Sequence, residues 1–204
     1  MTTDGAHLPP APIISNAFAR KHKIGKPYMI LAGDNGLISE SDIIGVDYEF
    51  VERTDNTGDR DYLEPFGYNV VVKKSKGLQI YSNRTSFNTV DSPVSSIHTS
   101  EVIMYVQQEI ALMLESFVFK YNTPQNRLII QEKADEICKR AYQAGAISGY
   151  INKCDDKNNT GQVIANRLGI LDTRIFNNNG MEIMLHRTTI DSVTNMASFE
   201  VTKG

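Results

Sequence analysis

The chain has 204 residues, of which 41% are hydrophobic and 22% are charged, a composition typical of a globular domain with a sizeable core. Its formal net charge is −3 and its isoelectric point is about 5.8, so no overall basic field favours nucleic acid or an anionic membrane. The sequence has no run of about 18 apolar residues that would span a membrane. Residues 1–7 lack the basic and apolar regions of a secretion signal.

The N-terminal region begins with a proline-rich stretch. Residues 1–12 contain three of the seven prolines and are predicted to form an extended arm. Residues 13–20 then start either a strand or a short helix. The basic group that includes Arg20 and Lys21 is interpreted as a solvated loop. Asp34-Asn35-Gly36 predicts a turn, because Asn and Gly tolerate positive φ.

The next region is predicted to be mainly β. Residues 43–51 alternate apolar with polar side chains, as a half-buried strand does. Tyr62 to Phe66 predicts a short helical turn that closes near Gly67. The apolar runs 70–72 and 78–81 are separated by Lys73-Lys74-Ser75-Lys76-Gly77, a spacing that suits a hairpin.

Two long helices are predicted in the middle of the chain. The first is capped by Ser96 or by Thr99. Its apolar side chains recur at helical spacing at Ile103, Val106, Ile110, Met113 or Leu114, and Phe117. Its polar stripe consists of Glu101, Gln108 and Glu115.

The second helix starts at Thr123-Pro124, a cap followed by proline at the first helical position. It stops near Gly145. Its predicted apolar face consists of Leu128, Ile130, Ala134, Ile137, Cys138 and Ala141.

The last third of the chain returns to β structure. Strands are predicted at 149–154, 168–171 and 181–186, with a short helix within 160–166 and a turn at 177–180. The chain is thus predicted to be α/β (α+β), with a mixed sheet flanked by two long helices. Residues 13–190 form the predicted core domain, and residues 191–204 form a C-terminal arm.

The residues indicate no cofactor and no metal. Neither a Gly-x-Gly-x-x-Gly motif nor a phosphate loop is present, and the four histidines are far apart in sequence. Cys138 and Cys154 are predicted to be buried free thiols, as suits assembly in a reducing cytoplasm. A zinc site that combined them with a histidine would lack paired spacing.

The loop after Cys154 invites two chemical interpretations. Asp155 to Asn159 superficially resembles a calcium loop, but Thr160 stands where such a loop has glycine, and no glutamate follows at the required offset. Cys154 beside Asp155 suggests a nucleophile, although no histidine is near in sequence. A polar turn after a strand is the favoured interpretation, and no catalytic residue is predicted.

Several segments, in this order, resemble the core of contractile tail sheath proteins. They are Leu63–Asn69, Gly77–Thr85, Phe117–Asn122, Gly145-Ala146, and Cys154-Asp155 followed by Asn158-Asn159-Thr160. Tyr81 and Ser82 replace the family's usual Trp and Gly, and Lys120 replaces a Glu. The residues that carry the resemblance as structural motifs are Gly77, Tyr81, Arg84, Thr85, Phe117, Phe119, Asn122, Cys154 and Asn159.

The resemblance implies a mechanical function and no enzymatic activity. Sheath cores form stacked hexameric rings around an inner tube, and they contract to drive the tube through a target envelope. The implied partners are further copies of the chain, the inner tail tube protein, the baseplate and the tail terminator, with no nucleic acid and no membrane insertion. The implied location is a virion tail or phage-like particle that is assembled in the host bacterial cytoplasm. Full-length sheath proteins resemble this chain only in their C-terminal part, which suggests either a fragment or a minimal sheath.

Two sets of residues are assigned interface roles on this basis. The alternating segment Ser198, Phe199, Glu200, Val201 and Thr202 is expected to add a strand to a neighbouring subunit. A charged patch is expected to contact the inner tube weakly enough to release it. The patch consists of Lys153, Asp155, Asp156, Lys157 and Arg167.

Two alternatives from other classes remain open at this point. One is a non-contractile ring-forming tail adaptor or terminator, which would form closed rings that do not stack. The other is a small cytosolic α/β enzyme that uses Cys154 or a carboxylate, which would need a deep pocket with a perturbed titratable group.

Overall fold

The computed structural model describes residue 7 and residues 9–38, 43, 45–46, 58–87 and 92–181. The arm 191–204, with its strand-exchange segment 198–202, lies outside these residues. Of the predicted strand 43–51, only residues 43, 45 and 46 are described. Of the predicted strand 181–186, only residue 181 is described.

The described residues form five α-helices and four strands, which confirms the mixed α and β class. The helices are α1 (Pro10–Ile24), α2 (Asp59–Leu63), α3 (Ile97–Glu115), α4 (Pro124–Gln143) and α5 (Gly161–Ala165). The strands are β1 (Val71–Lys74), β2 (Gly77–Ile80), β3 (Ile147–Lys153) and β4 (Asp172–Asn177). Within this part of the chain the strands make two separate two-stranded antiparallel sheets, β1-β2 and β3-β4, where the sequence predicts one mixed sheet.

The helix α1 resolves the choice left open for residues 13–20. It has prolines in its first turn, where an N–H would have no partner in the helix. Because α1 begins at Pro10, the last three residues of the predicted extended arm 1–12 are helical. The basic group at residues 20–23 is the last turn of α1 and not a solvated loop, and Lys21 is only 1% exposed.

The hairpin and the turn before it form as predicted. Val71 lies opposite Ile80 and Lys74 opposite Gly77, so Ser75 and Lys76 make the connection. Before the hairpin, α2 continues into a 3-10 turn at Glu64–Phe66, which ends at Gly67 with φ +76°. A Cβ at Gly67 would lie 2.9 Å from the carbonyl oxygen of Thr85, so this position needs glycine for space as well as for its backbone angle.

Both long helices begin at predicted caps, and for α3 the structure selects Ser96 over Thr99. Ser96 is the cap of α3, and its hydroxyl accepts from the Thr99 N–H. Thr123 caps α4 by accepting from the Asn126 N–H at 3.2 Å. The end of α4 is a Schellman motif: the Ala146 N–H reaches the Ala141 carbonyl at 3.1 Å, across Gly145 with φ +73°.

The main core lies between α3, α4 and β3. Its buried members are Val102, Val106, Ile110, Ile137, Cys138, Ala141, Ala146 and Ile147. The predicted apolar face of α4 is correct apart from Leu128, which is 52% exposed. Arg127 takes the buried position beside it, for a reason given below.

The largest difference from the sequence prediction is the partner of β3. The predicted strand 168–171 is irregular, and the strand that pairs with β3 is β4, with Ile151 opposite Arg174 and Lys153 opposite Asp172. The apolar segment 168–171 lies outside both sheets, and asparagine side chains bind its backbone at Leu168 and Ile170. This cluster of amides forms the centre of the candidate site.

Candidate assembly site at the junction of the long helices

Three segments that are distant in sequence meet where α3 turns into α4. Asn159 lies at their centre and is 2% exposed. Its Nδ2 donates to the Ile170 carbonyl at 2.9 Å and to Asn158 Oδ1 at 2.8 Å. Its Oδ1 accepts from the Ile170 N–H at 2.8 Å. The Asn159 amide therefore binds both backbone groups of Ile170, as a neighbouring strand would.

Asn122 connects this centre to the start of α4. Its Nδ2 donates to the Leu168 carbonyl at 2.9 Å and to Asn159 Oδ1 at 3.3 Å. Its Oδ1 accepts from Arg127 Nη1 at 2.9 Å. Arg127 is 5% exposed, and its other nitrogen forms an ion pair with Asp156. Burial of this guanidinium is tolerated because its donors have partners. We call Asn122, Arg127, Asn158 and Asn159 the amide cluster.

The loop after β3 is a polar turn, as favoured from the sequence. Asp155 Oδ1 accepts from the backbone N–H groups of Lys157 at 2.9 Å and of Asn158 at 3.3 Å. Asn158 returns the contact by accepting from the Asp155 N–H at 2.9 Å. Nowhere in the described ranges do three or more His, Cys, Asp or Glu side chains come together in a way that could hold a metal ion.

An open cavity of about 660 Å³ lies beside the amide cluster, and we call it the groove. Apolar side chains from the end of α3 and from residues 164–171 form most of its wall, including Leu114, Phe117, Ile164 and Leu168. Among the described residues, the charged side chains that line it are Lys120, Arg127 and Arg167, and none of the lining residues is a carboxylate. Since Arg127 is paired with Asp156, Lys120 and Arg167 give the groove its basic rim.

The mouth of the groove combines strained backbone with exposed aromatic rings. Phe119 has φ +67° and Arg167 has φ +60°, and they are the two non-glycine residues with positive φ in the described part of the chain. Phe119 is 103% exposed and Tyr121 is 86% exposed. A bulky residue in the left-handed region is a genuine outlier, and such strain tends to occur at functional positions.

A second polar network fixes the turn at Glu64–Phe66 to the start of α3. Arg84 Nε and Nη2 donate to Glu64 Oε1 at 3.0 and 2.9 Å. The Arg84 N–H donates to Asn69 Oδ1 at 2.8 Å, and Asn69 Nδ2 donates to the Arg84 carbonyl at 2.7 Å. The backbone of Arg84 also forms an isolated antiparallel β-bridge with that of Ser96, the cap of α3. The Thr85 hydroxyl donates a hydrogen bond to the Val94 carbonyl at 2.8 Å.

The predicted structural motifs therefore divide between these two places. Phe117, Phe119, Asn122, Cys154 and Asn159 line the groove together. The remaining motif residues, Gly77, Tyr81, Arg84 and Thr85, belong to the hairpin and the segment after it.

The five residues of the predicted inner-tube patch have different environments. Asp155 is engaged in its own turn, and Asp156 is paired with Arg127. Lys153, Lys157 and Arg167 are exposed, and no ion pair holds them within the described ranges. If the patch contacts a partner, these three cations are the groups available to do so.

Sequence reasoning missed two buried cations, Arg127 and Lys21. Lys21 forms an ion pair with Glu101 of α3, and His22 Nε2 lies 3.0 Å from the other oxygen of the same carboxylate. Glu101 of the predicted polar stripe is therefore largely buried and ion-paired. A signal for Arg127 was present, because its spacing of seven residues from Ala134 places it on the buried side of α4.

Cys154 is a buried residue of the core, 5% exposed. Burial raises the pKa of its thiol above the usual value, with a smaller opposing effect from its contact with Asn159. A thiol with a raised pKa is a poor nucleophile at neutral pH. Its neighbours here are the amides of Gln131 and Asn159.

No helix among the described residues combines the length and apolarity that crossing a membrane would require. No protein-family model matches the chain, and no curated protein sequence matches it.

Solved structures do match it. A chain in the cryo-EM structure of the anti-feeding prophage baseplate, 6-fold symmetrised, is similar with a TM-score of 0.76 and 20% identity, over 94% of this chain and 52% of the other. The PVC sheath complex of an extracellular contractile injection system, in its contracted state, matches with a TM-score of 0.73 and 13% identity, over 90% and 51%. The anti-feeding prophage baseplate in its contracted state matches with a TM-score of 0.72 and 17% identity, over 91% and 48%.

These likenesses extend over nearly all of this chain but only about half the length of the chains that it matches. The chain accordingly shares its fold with about half of a subunit in each of these contractile assemblies.

Proposed function

We propose that the chain is a structural subunit of a contractile injection apparatus, of the sheath type, which polymerises as stacked hexameric rings around an inner tube. The observation that carries the proposal is the agreement of two independent comparisons. The fold matches chains of contractile assemblies over 90% or more of its length. Two of the sequence segments that resemble the sheath core, Phe117–Asn122 and the loop that follows Cys154, meet in space around Asn122 and Asn159.

In this proposal the folded core moves as a rigid body while its contacts to neighbours change. The described structure supports rigidity, because the amide cluster and the Arg84 network fix both ends of α3 to the rest of the core. Contraction then takes its free energy from larger contact between subunits in the contracted state. No nucleotide chemistry is required by such a mechanism.

The proposed partners are other copies of the chain, the inner tail tube protein, the baseplate and the tail terminator. We assign the tube contact to the exposed cations of the predicted patch, Lys153, Lys157 and Arg167. Such contacts are weak and screened by salt, which suits a surface that must release its partner. The segment 198–202 is proposed to add a strand to a neighbouring subunit. The proposed location is a phage-like particle or virion tail that is assembled in a bacterial cytoplasm.

A second candidate is a non-contractile ring-forming tail adaptor or terminator. Two of the similar structures are named for a baseplate and not for a sheath, and this observation supports a tail component other than the sheath. The two candidates differ in whether rings of the chain stack.

Negative-stain electron microscopy of the purified chain, over a range of protein concentrations, separates them. Striated tubes or stacked rings are the result expected for a sheath subunit. Closed rings that stay single at every concentration would favour the ring-forming component. Particles that remain monomeric throughout would contradict both assignments.

A further inference from the structure

Four titratable side chains join the end of α1 to the start of α3, away from the amide cluster and the groove. Lys21, whose side chain is fully buried, forms an ion pair with Glu101. His22 Nε2 lies 3.0 Å from the other oxygen of that carboxylate. His98 lies one turn before Glu101 on the same side of α3 and is 4% exposed. We call these four residues the clasp.

His98 is enclosed by α1, by the segment that follows α1 and by its own helix. Its ring hydrogen-bonds to the backbone of Pro27 and Met29, and since Pro27 has no N–H, the ring donates to a carbonyl there. The charged groups that act on the ring are Lys21 of α1 and Glu101 of α3. The Nδ1 atom of His98 is buried and has no hydrogen-bond partner among the described residues. Nε2 therefore carries the proton of the neutral ring, and Nδ1 is the atom that acid would protonate.

A proton on His98 Nδ1 would upset the charge balance of the clasp. With His98 neutral, one buried cation, Lys21, faces one carboxylate, Glu101. With His98 protonated, two buried cations share that carboxylate, and the new N–H has no acceptor among the described residues. Burial, followed by the Lys21 charge, accordingly lowers the pKa of His98 below its usual 6.5. A state in which α1 has moved away binds this proton more readily, so acid favours that state.

His22 acts in the opposite direction, but more weakly. Its protonation places positive charge beside Glu101 and would strengthen the clasp. Its side chain is 49% exposed, so water and salt screen this contact. The buried His98 is therefore the group that dominates the response of the clasp to acid.

The helix α1 is attached to the molecule separately from the main core. Its buried residues are Ala17 and Lys21. Ala17 belongs to a smaller cluster with Leu31 and Ile80, and within the described residues no member of α1 is part of the core between α3, α4 and β3. An element with few buried contacts can open while the core remains folded. Weakening of the pair between Lys21 and Glu101 therefore favours release of α1.

We propose that the clasp is an acid-sensitive latch, in which protonation of His98 Nδ1 releases α1 from α3 while the core between α3, α4 and β3 stays folded. Release exposes the apolar side chains by which α1 packs on Leu31 and Ile80, among them Ile14 and Phe18. Acid therefore changes which surface the chain presents to a neighbour. The latch is a property of the folded chain and does not depend on the proposed function.

Hydrogen exchange of the full-length chain, measured by mass spectrometry at pH 7 and pH 5 and corrected for the intrinsic exchange rates, tests the latch. If only the open state binds the proton, with the usual pKa of 6.5, the opening constant of α1 rises by up to about 25-fold between these pH values. We expect the amides of residues 10–24 to lose protection towards this limit, and those of residues 124–143 to keep theirs. Equal loss in both helices would overturn the latch, because it would show unfolding of the whole domain.

Two histidine variants assign the response to one side chain. His98→Gln removes the titrating group and is expected to abolish the difference in α1 protection between the two pH values. His22→Gln, at the half-exposed histidine of the same clasp, is the matched control and is expected to retain the difference. A response of α1 to acid that persists in His98→Gln would contradict the proposal.

A fluorescent reporter provides a second measurement that leaves His98 in place. The chain has no tryptophan, so Phe18→Trp introduces a single one on the side of α1 that packs on Leu31. Its emission is expected to shift to the red as the pH falls, with the same midpoint at which the His98 ring titrates in NMR. An emission that stays constant from pH 7 to pH 5, or a shift whose midpoint differs from that of His98, would overturn the latch.

Discussion

Replacement of Asn159 by alanine tests the claim that side-chain amides hold the segment 166–171 in place. The substitution removes three short hydrogen bonds, to Asn158 Oδ1 at 2.8 Å, to the Ile170 carbonyl at 2.9 Å and from the Ile170 N–H at 2.8 Å. At about 1 kcal/mol each, we expect a loss of about 3 kcal/mol in the free energy of unfolding. For a chain of this size the corresponding fall in Tm is about 6–12 °C.

Urea unfolding at a protein concentration below self-association is the assay. Asn159→Ala is expected to lower the midpoint while leaving the slope with denaturant unchanged, since the surface that unfolds is almost the same. Asn166→Ala provides the control, because Asn166 is exposed at the end of α5 and its loss is expected to change the free energy by less than about 0.5 kcal/mol. Equal stabilities of the two variants would refute the assignment of a structural role to the amide cluster.

Three further predictions follow from other residues. Phe119→Gly is expected to stabilise the monomer by about 1 kcal/mol in thermal unfolding, because glycine adopts φ +67° without strain; a destabilised variant would show that the exposed ring packs on the core. Lys21→Met is expected to cost about 3 kcal/mol by leaving Glu101 without its buried partner, and addition of Glu101→Leu is expected to recover most of this in a double-mutant cycle; additive losses would contradict the pairing. Burial, aided by the Lys21 ammonium, lowers the pKa of His98 below its usual 6.5, so the unfolded chain binds the proton first and stability falls as pH drops from about 7 towards 5. His98→Gln is expected to flatten that dependence when unfolding midpoints are compared at the two pH values, and an unchanged slope would assign it to other groups.

Local sequence signals were sufficient to predict the elements whose contacts join residues that are near in sequence. Ser96 and Thr123-Pro124 predict the starts of the long helices because a capping side chain needs only the next three residues. The hairpin β1-β2 and the turn at Gly67 are local in the same sense.

The last third of the chain shows why other predictions failed. Residues 168–171 are more apolar than residues 172–177, so the sequence predicts the strand at 168–171. In the structure Asn122 and Asn159 bind the backbone of this segment, and β4 pairs with β3 in its place. Those contacts join residues 11 and 46 positions apart, which no local pattern encodes.

The candidate site was predictable in its members but not in its geometry. The resemblance to sheath proteins picks out Phe117, Asn122, Cys154 and Asn159 as separate motifs, and the structure brings them together around the groove. The buried Arg127 and Lys21 were missed because charged residues are almost never buried unless paired, and their partners Asp156 and Glu101 come from other segments.

Cryo-EM reconstruction of whatever the purified wild-type chain assembles into is the most direct test of the central claim. The account predicts rings of six subunits, stacked into a tube, with each subunit retaining the α3–α4–β3 core described above. Only monomers, or rings that never stack even at the highest concentration, would contradict it.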